Sequence, residues 1–503
     1  MLTLHLRITD AQTQRPTPAR VSVTGPKGQS FAPLGRFAEF PVGINEAAGA
    51  GLWTGTESAF PVDGGCEIKL PSGVPLRVRV TKGPEYVPLD ETITLGAGQM
   101  AVRLALTRWT NPAASGWYSG DGRAHFLTPH AAQLEAGAEG LDFVNLLATE
   151  QFVPGQNGKL YPVTTNLDAF GGQSPTLEAD GRAVVVNTFN THPALGKVAL
   201  LHSHRPIFPL AFGEESDDWS IIDWCRQCHR KKGLTVLCDP FLPGAALAGG
   251  EALVALLLGE IDAFEFDPQP RMLPYYRLLD AGFVTPLVGS SGKRSNKLPL
   301  GAMRTYAHLS PGEELTYPAW IDAVRAGRTY VTTGPLVDFT VNGNGPGESV
   351  DLAASEAVEV RVEVQSIVPF ERLELICNST VIASSEATDS LPPCGGGDES
   401  TDRFGATIIQ SLLLSSSSWL AVRCVGPTGS VLFPAAPTFA HTSPVVVRIG
   451  GAPLPRTPAA VAFLQSNVDK VKDWAASVGR YSEPKWQTQL LARCDEALAR
   501  LIP

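Results

Sequence analysis

The hydrophobic period of this 503-residue chain changes three times, and the order of those changes constrains its fold more than any other feature. The chain opens MLTLHLRITD, which places Leu2, Leu4, Leu6 and Ile8 on one face and Thr3, His5 and Arg7 on the other. That period of two marks a half-buried strand. The runs ARVSVTG, CEIKL, PLRVRVTKG, DETITL and MAVRLALTRW continue the pattern between Pro/Gly clusters, so residues 1–108 read as an N-terminal β-sandwich. From 110 to 335 the runs GWYSGD, LDFVNLLATE, AVVVN, KVALLHSH, LTVLCDP, IDAFEFDP and TPLVGSS alternate with helical segments such as PHAAQLEAGAEG and GGEALVALLLGE. Strands alternating with helices imply βα units around a largely parallel sheet. Residues 336–450 return to strand alternation, a C-terminal β-sandwich. Residues 457–503 read as a helical tail, in which Trp486, Leu490, Leu491, Cys494, Leu498 and Leu501 recur at helical spacing and form a packing face. The expected fold class is therefore multidomain α/β: a central distorted βα barrel of about seven strands, two flanking β-sandwich domains and the tail.

Two departures stand out inside the central region. Only nine residues separate Asn187 from Lys197, too few for a crossover helix, which predicts a hairpin or corner there. The stretch 151–182 is rich in Gly and Pro and reads as a long loop of the kind that covers a site. Composition narrows the partners. The net charge is −10 and no stretch supplies a Lys/Arg stripe, so a nucleic-acid partner is not expected. Apolar stretches such as ALVALLLG fall far short of the roughly 20 residues that span a bilayer. The first residues lack a basic segment followed by an apolar one, and eight cysteines without an export signal read as reduced thiols. The expectation is a cytoplasmic protein with a small-molecule substrate or ligand as its partner.

In parallel βα architectures, sites form at the carboxyl ends of strands. The residues ending the apolar runs are Asp121 with Arg123 and His125, Glu150, Asn187 with His192, His202 and His204, Asp239, Glu265 with Asp267, and Ser290 with Ser291. If the strands share a direction, these groups converge on one mouth, although strand ends are also where polar loops ordinarily begin. His, Asp and Glu are ligands for zinc, manganese and iron. His202-Ser203-His204 would aim two imidazoles the same way on an extended chain, or would merely bond the backbone of the following loop. Cys225-Arg226-Gln227-Cys228-His229 matches the haem-attachment spacing but falls on a helical segment with both cysteines on one face, as in simple burial. VGSSGKRSN is no phosphate loop, because Leu287 and Arg294 stand where Gly and Ser/Thr are required.

The block GWYSGDGRAHFLTPHAAQLEAGAEGLDFVNLLATE resembles the opening of the polymerase-and-histidinol-phosphatase (PHP) superfamily, and most closely its CehA/McbA branch of carbaryl-type hydrolases. The blocks GLTVLCDPF, EIDAFEF, LLDAGFVTPLVGSS and GAMRTYAHL, and the later AWIDAVRAGRTYVTTGPLVDFTVNG, follow in the branch's order over about 110 to 345. Residues 1–108 similarly resemble carboxypeptidase-regulatory or transthyretin-like modules. The resemblance implies a metal-dependent hydrolase of ester, carbamate or amide bonds. The metal motifs depart from it: Arg123-Ala124-His125 replaces His-x-His, Thr149-Glu150-Gln151 replaces Thr-Asp-His, Asp239 replaces the His of His-Pro, and Lys293 replaces a late His. The candidate ligands are His125, Glu150 and Asp239 at the motif positions, and His192, His202 and His204 among the strand-end residues, with Arg123 and Glu265 in catalytic roles. Arg cannot shed its proton to ligate a metal. Arg123 and Lys293 are therefore expected to supply charge that a metal would supply, with at most one divalent ion (Zn, Mn or Fe) or none. The same reasoning predicts a salt bridge from Arg123 to Glu150 or Asp239. It also places His125, Glu150, Asp239 and Glu265 around one cavity roofed by 151–182. The alternative is a catalytically silent barrel with a ligand-binding or scaffold role.

Overall fold

The computed structural model describes residues 1–42, 49–155, 158–212, 216–242, 247–266, 272–388 and 403–502. The first strand, Leu2–Asp10, buries Leu4, Leu6 and Ile8 and exposes His5 and Arg7, as its period of two requires. It lies between Gly65–Leu70, antiparallel, and Ala101–Leu106, parallel. A second sheet centred on Ala19–Thr24 faces it, with Ser58–Val62 and Pro75–Thr81 on either side. Leu4, Ile8, Val21, Val78 and Leu104 fill the space between the two sheets.

The seven strands expected in the centre are present: β1 (Trp117–Ala124), β2 (Phe143–Pro154), β3 (Arg182–His192), β4 (Gly196–Leu201), β5 (Leu234–Cys238), β6 (Ala263–Phe266) and β7 (Leu287–Gly289). β1, β2 and β3 run parallel, and so do β5, β6 and β7. β4 runs antiparallel to both of its neighbours, forming the hairpin that the short connection predicts. Helices α1 (Pro129–Glu139), α2 (Ile221–His229), α3 (Gly250–Leu257), α4 (Met272–Leu279) and α5 (Tyr317–Arg325) lie between or after these strands. Among the described residues no ladder joins β7 back to β1, so the sheet is open and not a closed barrel. One isolated bridge, Ala124 with Lys293, stands at the closing position. The reason is local: β7 is three residues long, and the opening residues of β1 pair instead with β8 (Arg304–His308).

β8 pairs with β9 (Thr329–Thr332), and β9 pairs with Pro437–Thr442, so one ladder continues from the central sheet into the C-terminal strands. There Leu336–Val341, Ala357–Ser366 and Phe404–Leu413 form a three-stranded sheet over a second layer, with Val360, Val362, Leu373, Leu375 and Val422 between them. The tail helices are α6 (Pro458–Ser477) and α7 (Pro484–Leu501). α6 starts cleanly, with Thr457 accepting the Ala460 N–H at 3.3 Å and Pro458 in the first turn. Leu464, Val468, Leu490, Cys494 and Leu501 join one core with Trp224 and Leu253, while Leu491 and Leu498 are partly buried against it. Among the described residues no helix is long and apolar enough to cross a membrane.

Candidate functional site

The carboxyl ends of β1, β5 and β6 bring Arg123, Asp239 and Glu265 together. Arg123 is buried and donates to Glu265 twice, Nε to Oε1 at 2.7 Å and Nη2 to Oε2 at 2.9 Å, with Nη2 also 2.9 Å from Asp239 Oδ1. Two parallel N–H···O bonds of this kind are the strongest arrangement available to a guanidinium. Lys197, at the start of β4, donates to Asp239 Oδ2 at 2.8 Å. The backbone N–H of Asp239 donates to Glu265 Oε2 at 2.9 Å. Burial opposes the charge on Arg123, but Glu265 and Asp239 outweigh it and raise its pKa. Behind this group Asp121 is fully enclosed. It accepts from the N–H groups of Arg123, Ser291 and Gly301 and from Ser291 Oγ at 2.5 Å. Burial nonetheless keeps its carboxyl above the ordinary range.

A cavity of about 500 Å³ opens over these groups, lined by Arg123, Lys197, Asp239, Glu265, Ser290 and Arg294 among others. Another cavity, of about 560 Å³, lies at the amino end of β1 beside Trp117, His308 and Asp338, and holds none of the strand-end groups.

Several expected site residues lie elsewhere. Glu150 does not line the cavity. β2 continues past it as a two-stranded ribbon with Leu160–Thr165, in which Glu150 pairs with Thr164. The 151–182 stretch is thus partly strand, and none of its described residues lines the cavity. Gln173 instead donates to the backbone carbonyls of His202 and Lys231. His192 has both ring nitrogens engaged: Nδ1 accepts the N–H groups of Ala194 and Leu195, so Nε2 carries the proton and donates to Asp217 at 2.9 Å. His202 and His204 emerge at the opposite end of the sheet. β4 is antiparallel, so its last residue, Leu201, faces Leu234 at the start of β5, whereas Asp239 follows the end of β5. His202 also has a φ of 51°, which removes the extended geometry that would align it with His204.

His125 is buried against Phe189 at a 4.9 Å ring separation, and neither ring nitrogen has a hydrogen-bond partner in good geometry. Burial, then the charges of Arg123 and Arg294, push its pKa well down, so it is neutral. Lys293 turns away from the carboxylates to Glu135 of α1 at 3.1 Å and the Leu298 carbonyl at 2.6 Å. The salt bridge expected from Arg123 to Glu150 or Asp239 is made to Asp239. Asp267 lies outside the described residues. Cys225 and Cys228 are buried in α2, and His229 bonds Asp262, so that motif is packing.

Two charged cavity residues, Lys197 and Arg294, are not among the site groups the sequence points to. Lys197 was hidden because it begins a strand that runs backwards. Arg294 was hidden behind the neighbouring Lys293, although two adjacent cations in a strand-end loop were a signal. Arg123 and Arg294 both lie over the Phe189 ring, at 5.3 and 5.9 Å from its centre.

The divalent metal implied by the resemblance does not fit this donor set. The carboxylates of Asp239 and Glu265 are bound by a permanent cation, both nitrogens of His192 are taken, His202 and His204 are remote, and His125, whose nitrogens are unpartnered, stands within the field of the Arg123 and Arg294 cations. Among the described residues no three His, Cys, Asp or Glu side chains are grouped to hold a metal.

No family model matches the chain, and no curated protein matches it. Among solved structures, the novel lesion-specific endonuclease PfuEndoQ from Pyrococcus furiosus is similar over 42% of this chain and 56% of that one. The identity is 11% and the TM-score 0.28. The match therefore spans about half of that neighbour, and at such a likeness it decides neither fold nor function.

Proposed function

We propose that this chain is a PHP-like protein in which a guanidinium has taken the place of the metal, leaving a small-molecule binding site without hydrolytic chemistry. The observation that supports it is the clamp of Arg123 on Glu265 and Asp239. A hydrolase of esters, carbamates or amides, the activity implied by the resemblance, needs an activated water. Glu265 is a poor base here, since both of its oxygens accept from Arg123. Asp239 is tied to Arg123 and Lys197. What the arrangement offers is fixed charge at the foot of a cavity large enough for a small ligand.

Metal analysis of protein purified without chelator, followed by aryl-ester and aryl-carbamate assays with added Mn²⁺, Zn²⁺ or Fe²⁺, tests this reading. The expected result is substoichiometric metal and no turnover above buffer. Arg123→His, which removes the permanent cation, is expected to gain affinity for a divalent ion. A tightly held ion in the wild type, or turnover that Asp239→Asn abolishes, would overturn the proposal.

A further inference from the structure

We infer that the cavity takes a small organic carboxylate with an apolar body, its carboxylate seated on Arg294. This rests on the ligand-binding reading above and names the class of ligand. Among the described residues five charged side chains line the cavity: Arg123, Lys197, Arg294, Asp239 and Glu265. Arg123 and Lys197 are engaged with the two carboxylates. Arg294 has no hydrogen bond or ion pair with any described residue. It is half-buried over Phe189 beside a second guanidinium. Burial and then the charge of Arg123 lower its pKa, yet an arginine stays protonated. The described lining therefore carries one positive charge in excess, held where it is costly without an anion.

An excess of one charge among the described residues is matched by a monoanion. A phosphate monoester near neutral pH carries closer to two charges and would leave the cavity negative. The planar fork of a guanidinium matches a carboxylate through two N–H···O bonds. Phe266, Leu298, Met303 and Pro437 supply an apolar wall for the rest of the ligand.

Calorimetric titration of the full chain with benzoate, its neutral isostere benzamide, phenyl phosphate and inorganic phosphate tests the inference. Benzoate is expected to bind, with benzamide and both phosphates at least about tenfold weaker, the value of a charge-assisted pair. Arg294→Gln should weaken benzoate by roughly ten- to hundredfold and leave benzamide unchanged, with Arg294→Lys in between. Without ligand, Arg294→Gln should melt close to the wild type, because Arg294 has no hydrogen bond or ion pair with any described residue and stands beside the like charge of Arg123. Equal binding of benzoate and benzamide, tighter binding of phenyl phosphate, or an Arg294→Gln variant that binds benzoate like the wild type would each overturn it. Metal analysis of the same sample separates the two proposals. Metal-free protein that ignores the carboxylate overturns only this inference. A metal-bearing protein that binds benzoate through Arg294 overturns only the metal-free reading.

Discussion

Single side chains decide what this site can do, and Arg123 decides most. It is buried and bonded to two acidic groups, so its removal leaves Glu265 and Asp239 short of their main counter-charge. Arg123→Met is expected to cost about 3–5 kcal/mol of stability, the usual result of breaking a buried pair from one side. Urea unfolding followed by far-UV circular dichroism measures it, and a loss within the error of the method would contradict the geometry. His441 makes a second prediction. It is buried, its Nδ1 donates to the Thr442 carbonyl and its Nε2 accepts from Tyr276, both at 2.8 Å, which is the pattern of a neutral ring. Burial pushes its pKa down to about 3. The unfolded chain takes up this proton near pH ~6.5 whereas the native state does not. Its contribution is therefore complete above the unfolded value and is lost as pH falls toward the folded one, at up to about 1.4 kcal/mol per pH unit. His125, also neutral by burial, adds to the same acid limb. His441→Gln should unfold with a visibly shallower dependence on pH below about 6; an unchanged slope would mean that His441 titrates normally.

At the scale of elements, the β3–β4 hairpin is the feature that rearranges the site. A crossover helix would have returned the chain to run parallel with β3 and placed His202 and His204 beside Asp239. The tight return reverses β4 and sends both histidines to the other end, about 15 Å away along β5. The same reversal places Lys197 at the cavity. A His202→Ala/His204→Ala double variant is therefore expected to keep the wild-type ligand affinity and metal content. Lys197→Ala should weaken the hold on Asp239 and alter ligand affinity by several-fold. Parallel titrations of the two variants check both, and a loss of binding in the histidine variant would refute the strand directions described. The short connection was legible in the sequence. Its consequence for the histidines was not, because the end of the sheet at which a strand-end residue emerges depends on strand direction, which pairing across the sheet sets.

Over the whole molecule, Arg20 ties three regions together. From the N-terminal sheet it reaches Glu139 of α1 at 3.0 Å, Thr81 at 3.0 Å and the Leu432 carbonyl near the C-terminal strands. Glu139 is wholly buried, and burial raises its pKa in spite of Arg20. Arg20→Met should destabilise the chain by about 3–5 kcal/mol, and Arg20→Met with Glu139→Leu by clearly less, since no buried charge is then stranded. Chemical denaturation of the three proteins tests this, and equal losses in the single and double variants would argue against the pairing. The sequence by itself determined most of the strands, their buried faces and most of the packing face of the tail, because a period of 2 or 3.6 is a local property that burial reads directly. It also marked Arg123 as a cation among carboxylates, since a guanidinium cannot lose its charge. Only the tertiary structure decided that the sheet stays open, that Lys293 turns to Glu135, that Glu150 rides out on a ribbon and that Arg294 lies over Phe189 without a hydrogen bond or ion pair to a described residue. Those outcomes depend on strand direction and on which distant groups a long side chain can reach, and neither is encoded in the residues on either side of it.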